Sequence, residues 1–121
     1  MIHIQFHCKQ GGGVVLRVRG HAGMGAPGAD TVCAAVSALT DTAAAAAEYL
    51  SRNGLLTGEP WIEGSPGVMA VIAQPKPEYL GEVLMVFWTI QVGLNALAKA
   101  YPQAVTMTNI LKLERNKEET P

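Results

Sequence analysis

The sequence predicts an α+β two-layer sandwich in which two long helices cover one face of a largely antiparallel sheet. Three observations carry that prediction. Two runs near the N-terminus alternate apolar and polar residues with period 2, two long stretches keep helical spacing of apolar residues, and the elements follow the order ββαββαβ. A doubly wound parallel sheet would need single strands alternating with helices, and the paired β segments depart from that pattern.

The first strand is read over residues 2 to 8, with Ile2, Ile4, Phe6 and Cys8 on one face and His3, Gln5 and His7 on the other. Lys9-Gln10-Gly11-Gly12-Gly13 supplies the turn, and Val14 to Arg19 alternates again, so the two segments form a hairpin. Gly20 to Asp30 holds four glycines and a proline in eleven residues and reads as a mobile loop, with Gly20, Gly23, Gly25 and Gly28 as its hinges. Asp30 is a suitable N-cap, and Thr31 to Arg52 runs without Gly or Pro to Asn53-Gly54, which predicts a helix. Its buried stripe is read as Val32, Val36, Leu39, Ala43, Ala46 and Leu50.

A second hairpin is expected from Leu55 to Glu63 and Val68 to Ala73, turning at Gly64-Ser65-Pro66-Gly67. The second helix is placed over Glu78 to Tyr101, stopped by Pro102, with Leu80, Val83, Phe87, Ile90, Leu94 and Leu97 inward. Its apolar section from Val83 to Ala98 falls short of the roughly 20 residues of a membrane span and carries Gln91 and Asn95, so a buried helix is expected. Val105 to Leu113 is read as the last strand, closing a single domain over residues 1–113, with a polar tail over 114–121.

The whole-chain arithmetic fits this design and narrows the function. The 121 residues are 49% apolar and 16% charged, with a mean hydropathy of +0.18, which suits one core and predicts further burial against a second copy. Leu84, Met85, Trp88 and Val92 project away from the inward stripe of the second helix and are the expected contact surface of a homodimer. Nine Lys plus Arg against ten Asp plus Glu leave a net charge of −1, with no basic block to attract nucleic acid directly. The N-terminus MIHIQFHCKQ lacks the features of a secretory signal, so a cytoplasmic protein with two reduced cysteines is expected.

Candidate chemistry concentrates around the glycine-rich segment. Gly23-Met24-Gly25-Ala26-Pro27-Gly28 fits G-x-G-x-x-G between a strand and a helix, yet Pro27 and the later cap at Asp30 separate it from a helix N-terminus able to hold a pyrophosphate. His3 and His7 lie about 13 Å apart along a strand, too far to share a metal. Cys8 falls on the apolar face and reads as a small core hydrophobe. Counted from Asp30 as N-cap, Cys33 is the third helical residue, where free N–H groups and the helix dipole favour a thiolate. Ser37 lies one turn further on the same flank, and His21 can fold back as general base. The alternatives are a buried, inert Cys33, an Asp30 that only caps, and a Ser37 that only bonds its own backbone.

Gly20-His21-Ala22-Gly23 and Asp30-Thr31-Val32-Cys33-Ala34-Ala35-Val36-Ser37-Ala38-Leu39 resemble the ribosomal-processing cysteine protease (Prp) family, with Thr31 in place of the family's usual aliphatic residue. The resemblance implies a cytosolic bacterial endopeptidase, homodimeric and needing neither metal nor organic cofactor. Its implied substrate is the precursor of large-subunit ribosomal protein twenty-seven, shortened at its N-terminus. Cys33 then becomes the nucleophile and His21 the base, with Asp30 and Ser37 in support. Two other classes stay open beside it: a non-catalytic ribosome-associated accessory protein and a nucleotide-binding module.

Overall fold

Alternation in the first two segments produces β1 (Ile2–Cys8) and β2 (Val14–Gly20), paired antiparallel from Ile2 against Gly20 to Cys8 against Val14. The computed structural model describes residues 1–21, 29–108, 110 and 111, and of Ala29 and Asp30 the backbone only. Helix α1 (Ala29–Arg52) follows, then β3 (Trp61–Ser65), β4 (Val68–Ala73), a 3-10 turn over Pro77–Tyr79, α2 (Leu80–Ala100) and β5 (Val105–Thr108). The sheet order is β3-β4-β2-β1-β5, antiparallel throughout except for β5, which α2 carries across to lie parallel to β1. The predicted α+β sandwich and its element order are therefore observed.

The two helices bury the face formed by Ile2, Ile4 and Phe6 of β1 and Val14, Leu16 and Val18 of β2. Phe6 meets Phe87 of α2 edge to face, ring centroids 6.3 Å apart, a contact that adds about 1 kcal/mol to simple burial. Along α1 the buried residues are Val32, Val36, Thr40, Ala43, Ala44 and Ala47, so Thr40 and Ala47 stand where Leu39 and Ala46 were expected. Leu39 instead packs beside α2, where a side chain on Gly93 would come within 3.0 Å of it. On α2 the inward residues are Val83, Phe87, Ile90, Gln91 and Leu94, while Leu80 is 38% exposed.

Four further expectations need correction. The second hairpin is shorter than expected: Leu55 to Pro60, with Gly58 and Pro60 poor strand formers, lies outside any strand, with an isolated Leu56–Pro75 bridge, and the strand runs through Gly64 and Ser65 before turning at Pro66-Gly67. The last strand ends at Thr108, and the expected tail lies outside the described residues. Cys8 is the last residue of its strand and is exposed, so it is not the core hydrophobe expected. Length does not exclude a membrane span either, because Pro77–Ala100 is long and apolar enough, with mean hydropathy 1.4. Its inner stripe packed against α1 and the sheet is what makes α2 a core helix.

Gln91 is the one polar side chain that this stripe buries deeply. Its Nε2 donates to the Leu111 carbonyl at 2.7 Å and its Oε1 accepts from the Leu111 N–H at 2.6 Å, so both ends of the amide are satisfied and the chain beyond β5 is pinned to α2.

Candidate active site

β2 ends at Gly20, where the chain adopts φ +101° and a side chain would run into the Met1 carbonyl oxygen, so glycine is required there. Gly20 is thus a paired strand residue and not part of a mobile loop; its N–H donates to the Gly67 carbonyl at 2.9 Å. The expected hinges Gly23, Gly25 and Gly28 lie outside the described residues, as does the G-x-G-x-x-G segment they belong to. His21 follows Gly20 directly, and the Met1 ammonium donates to its carbonyl at 2.5 Å. The β2 ladder and the N-terminus therefore set where this histidine stands.

The same end of the sheet receives the first turns of α1. A pocket of about 280 Å³ opens there, and both His21 and Cys33 line it, together with Ser37 and Thr40 of α1 and the β3–β4 turn from Ser65 to Val68. The floor is apolar, supplied by Ile2, Val18, Val36 and Met69. His21 is exposed and Cys33 half-buried, which leaves the imidazole open to solvent and the thiol partly covered on the helix. A second pocket of about 380 Å³ lies near the C-terminal end of α1, lined by Glu48, Ser51, Arg52, Glu59, Pro60 and Ile62, and contains neither a thiol nor an imidazole.

The helix begins at Ala29, one residue before the expected cap, so Asp30 lies inside the first turn and Cys33 is its fifth residue. An N–H at that position points back toward the carbonyl four residues earlier, so Cys33 itself is not one of the free N–H groups that end a helix. The Asp30 side chain lies outside the described residues, and with it the choice between capping and orienting His21. Ser37 is exposed toward the pocket; its carbonyl accepts from Thr40 Oγ1 at 3.1 Å, while its own hydroxyl makes no hydrogen bond among the described residues.

The two histidines of β1, expected to face solvent and not to share a metal, lie outside this pocket: His3 is exposed on the sheet face away from the helices, and His7 is half-buried, with no partner for Nδ1 among the described residues. No cluster of three or more potential metal ligands occurs among the described residues. Gly67, which the sequence marks only as part of a turn, is the site residue that sequence reasoning missed. It has φ +76°, and a Cβ built on it would stand 2.9 Å from His21 Nε2 and 3.3 Å from Cε1, so the imidazole lies against its bare backbone.

Comparison with known proteins places this arrangement in context. Residues 1–106 match the family model described as cysteine protease Prp. Among solved structures, the Streptococcus mutans protein SMU.848 is 27% identical with a TM-score of 0.66, over 93% of this chain and 96% of that one. The essential ribosomal processing protease Prp from S. aureus, in complex with a substrate peptide, is 21% identical with a TM-score of 0.68, over 93% of this chain and 100% of that one. The same protease with a covalently linked product peptide is 23% identical with a TM-score of 0.66, again over 93% and 100%. No curated protein matches.

Proposed function

The chain belongs to the cysteine protease Prp family, and from that membership we propose that it is a cytoplasmic ribosomal-processing endopeptidase working through Cys33 and His21. The observation that carries the assignment of residues is that one pocket, of about 280 Å³, is lined by both residues. The substrate class is a ribosomal protein precursor, by likeness to the S. aureus protease solved with a substrate peptide; the finer reading is removal of the N-terminal extension of large-subunit protein twenty-seven.

The chemistry is acyl transfer. His21 takes the proton of the Cys33 thiol as the sulfur attacks the scissile carbonyl, and it returns that proton to the leaving amine as the C–N bond breaks. Water then attacks the thioester with His21 again accepting a proton, which releases the carboxylate product and restores the thiol. The reading assigns Ser37, whose hydroxyl faces the pocket, to contact with the substrate backbone, and Asp30 to support of the helix start.

A homodimer through α2 belongs to the same reading. Met85 and Val92 are 48% and 49% exposed and flank the half-buried Leu84 and Trp88, a surface that a partner helix would cover. Sedimentation equilibrium at tens of micromolar protein should return twice the chain mass. The decisive experiment is incubation with the precursor ribosomal protein followed by mass analysis: a shortened product, lost with Cys33→Ala, supports the protease. An unchanged precursor that binds without cleavage would instead favour an accessory protein.

A further inference from the structure

We propose that Gly67, in the turn between β3 and β4, is a positioning residue for His21: the space left by its missing side chain seats the imidazole. This inference rests on His21 being the base. The three atoms nearest to a Cβ built on Gly67 all belong to the His21 ring, at 2.9 Å for Nε2, 3.3 Å for Cε1 and 3.7 Å for Cδ2. A real carbon essentially never approaches at the first of these distances, so a methyl group there forces the ring to move.

The backbone cannot relieve that contact by itself. Gly67 is tied to the end of β2 through the Gly20 N–H, 2.9 Å from the Gly67 carbonyl oxygen, and the His21 main chain is held by the Met1 ammonium. What remains free is rotation of the His21 side chain, which is exposed and displaced at small cost in stability. The consequence of a Cβ at position 67 therefore falls on where the imidazole stands relative to Cys33, and much less on whether the chain folds. Proton transfer is sensitive to such displacement, since a misplacement of about 1 Å can cost on the order of a hundredfold in rate.

Gly67 also has φ +76°, so Gly67→Ala combines backbone strain with the steric effect, and the test must separate them. Asn tolerates positive φ far better than Ala while still bearing a Cβ. Gly58, with φ +78° and nothing within 4 Å of a built Cβ, provides the strain without the contact. The experiment measures peptide cleavage, thermal midpoint and the pH profile of Cys33 alkylation by iodoacetamide for Gly67→Ala, Gly67→Asn, Gly58→Ala and His21→Ala. Gly67→Ala should lower kcat by about tenfold to a hundredfold and move the alkylation profile toward that of His21→Ala. Gly67→Asn should recover thermal stability but neither kcat nor the profile, and Gly58→Ala should lose stability with kcat unchanged.

Recovery of kcat by Gly67→Asn, or wild-type cleavage by Gly67→Ala while His21→Ala is inactive, would overturn the seat and leave the protease reading standing. Wild-type cleavage by His21→Ala would remove the base itself, and the seat with it. If Gly67→Ala is too unstable to assay, Gly67→Asn decides alone.

Discussion

The ladder between β2 and β4 ends in a close approach of glycine and polar side chain at both extremities, and the two ends serve different purposes. At one end a Cβ on Gly13 would stand 3.0 Å from Gln74 Oε1; at the other, a Cβ on Gly67 would stand 2.9 Å from His21 Nε2. Gln74 is tied down, its Nε2 donating to the Gly11 carbonyl at 3.0 Å and to the Pro75 carbonyl at 3.4 Å. The His21 ring makes no hydrogen bond among the described residues and faces a pocket shared with Cys33. Each end also has its cysteine, Cys8 beside the first turn and Cys33 on α1. One backbone device thus clamps a turn where the side chain's amide nitrogen is bonded to neighbouring carbonyls, and sets an imidazole beside an open pocket at the other end.

The largest effect should separate the two cysteines. Cys33→Ala or Cys33→Ser is expected to reduce cleavage by more than about 10³-fold, because Cys33 carries the only thiol that lines the pocket beside the His21 imidazole among the described residues, while Cys8→Ala should cleave at the wild-type rate. Equal losses from both substitutions in folded proteins would dissolve the contrast between the ends. His21→Ala comes next, with an expected loss of about 10² to 10⁴ in kcat, the usual range for removal of a general base.

How far this contrast was legible beforehand depends on the kind of signal. Period-2 alternation places β1 and β2 because only one face of each meets the helices. The pair His21 and Cys33 was visible too, through a strand end, a helix start and the motif around them. The β3 boundary was not: residues 55 to 60 hold Gly58, Glu59 and Pro60, all poor strand formers, and pairing with β4 begins only at Trp61 opposite Ile72. The start of α1 was misjudged because Asp suits the first helical turn almost as well as the cap, so its identity does not distinguish the two positions. Gly67 carried a local signal for a turn and none for a site. Its importance comes from a contact with a residue distant in the chain, and period and propensity are silent on such contacts.

Gln74 tests the quiet end. Gln74→Ala removes the amide that bonds the Gly11 carbonyl, at the exposed end of the ladder, and should cost about 1 kcal/mol, lowering the thermal midpoint by about 2–6 °C. Cleavage should be unaffected at a temperature where the variant is folded. A loss of activity comparable to that of Gly67→Ala would show that the two ends are mechanically coupled and that the division drawn here is too sharp.

The smallest expected effect concerns Cys8 and pH. Although the residue is exposed, partial burial of its thiol pushes the pKa above the usual thiol value, so the folded protein favours the protonated form. The unfolded chain loses that proton at the ordinary value. Below the ordinary value both states hold the proton and stability is unaltered; as pH climbs from there through the raised value, only the unfolded state is deprotonated and stability is lost. Cys8→Ser removes the titration, so the urea midpoint of the wild-type protein should fall more between pH 7 and pH 10 than that of the variant. The difference between the two proteins isolates Cys8 from the lysines, tyrosines and Cys33 that both retain. Alkylation follows the same sign: Cys8 should react slowly at neutral pH and accelerate only under alkaline conditions. Identical pH dependence of the midpoints, or rapid labelling of Cys8 at neutral pH, would mean that its thiol is as solvated as its residue, and the two ends would then differ in their partners alone.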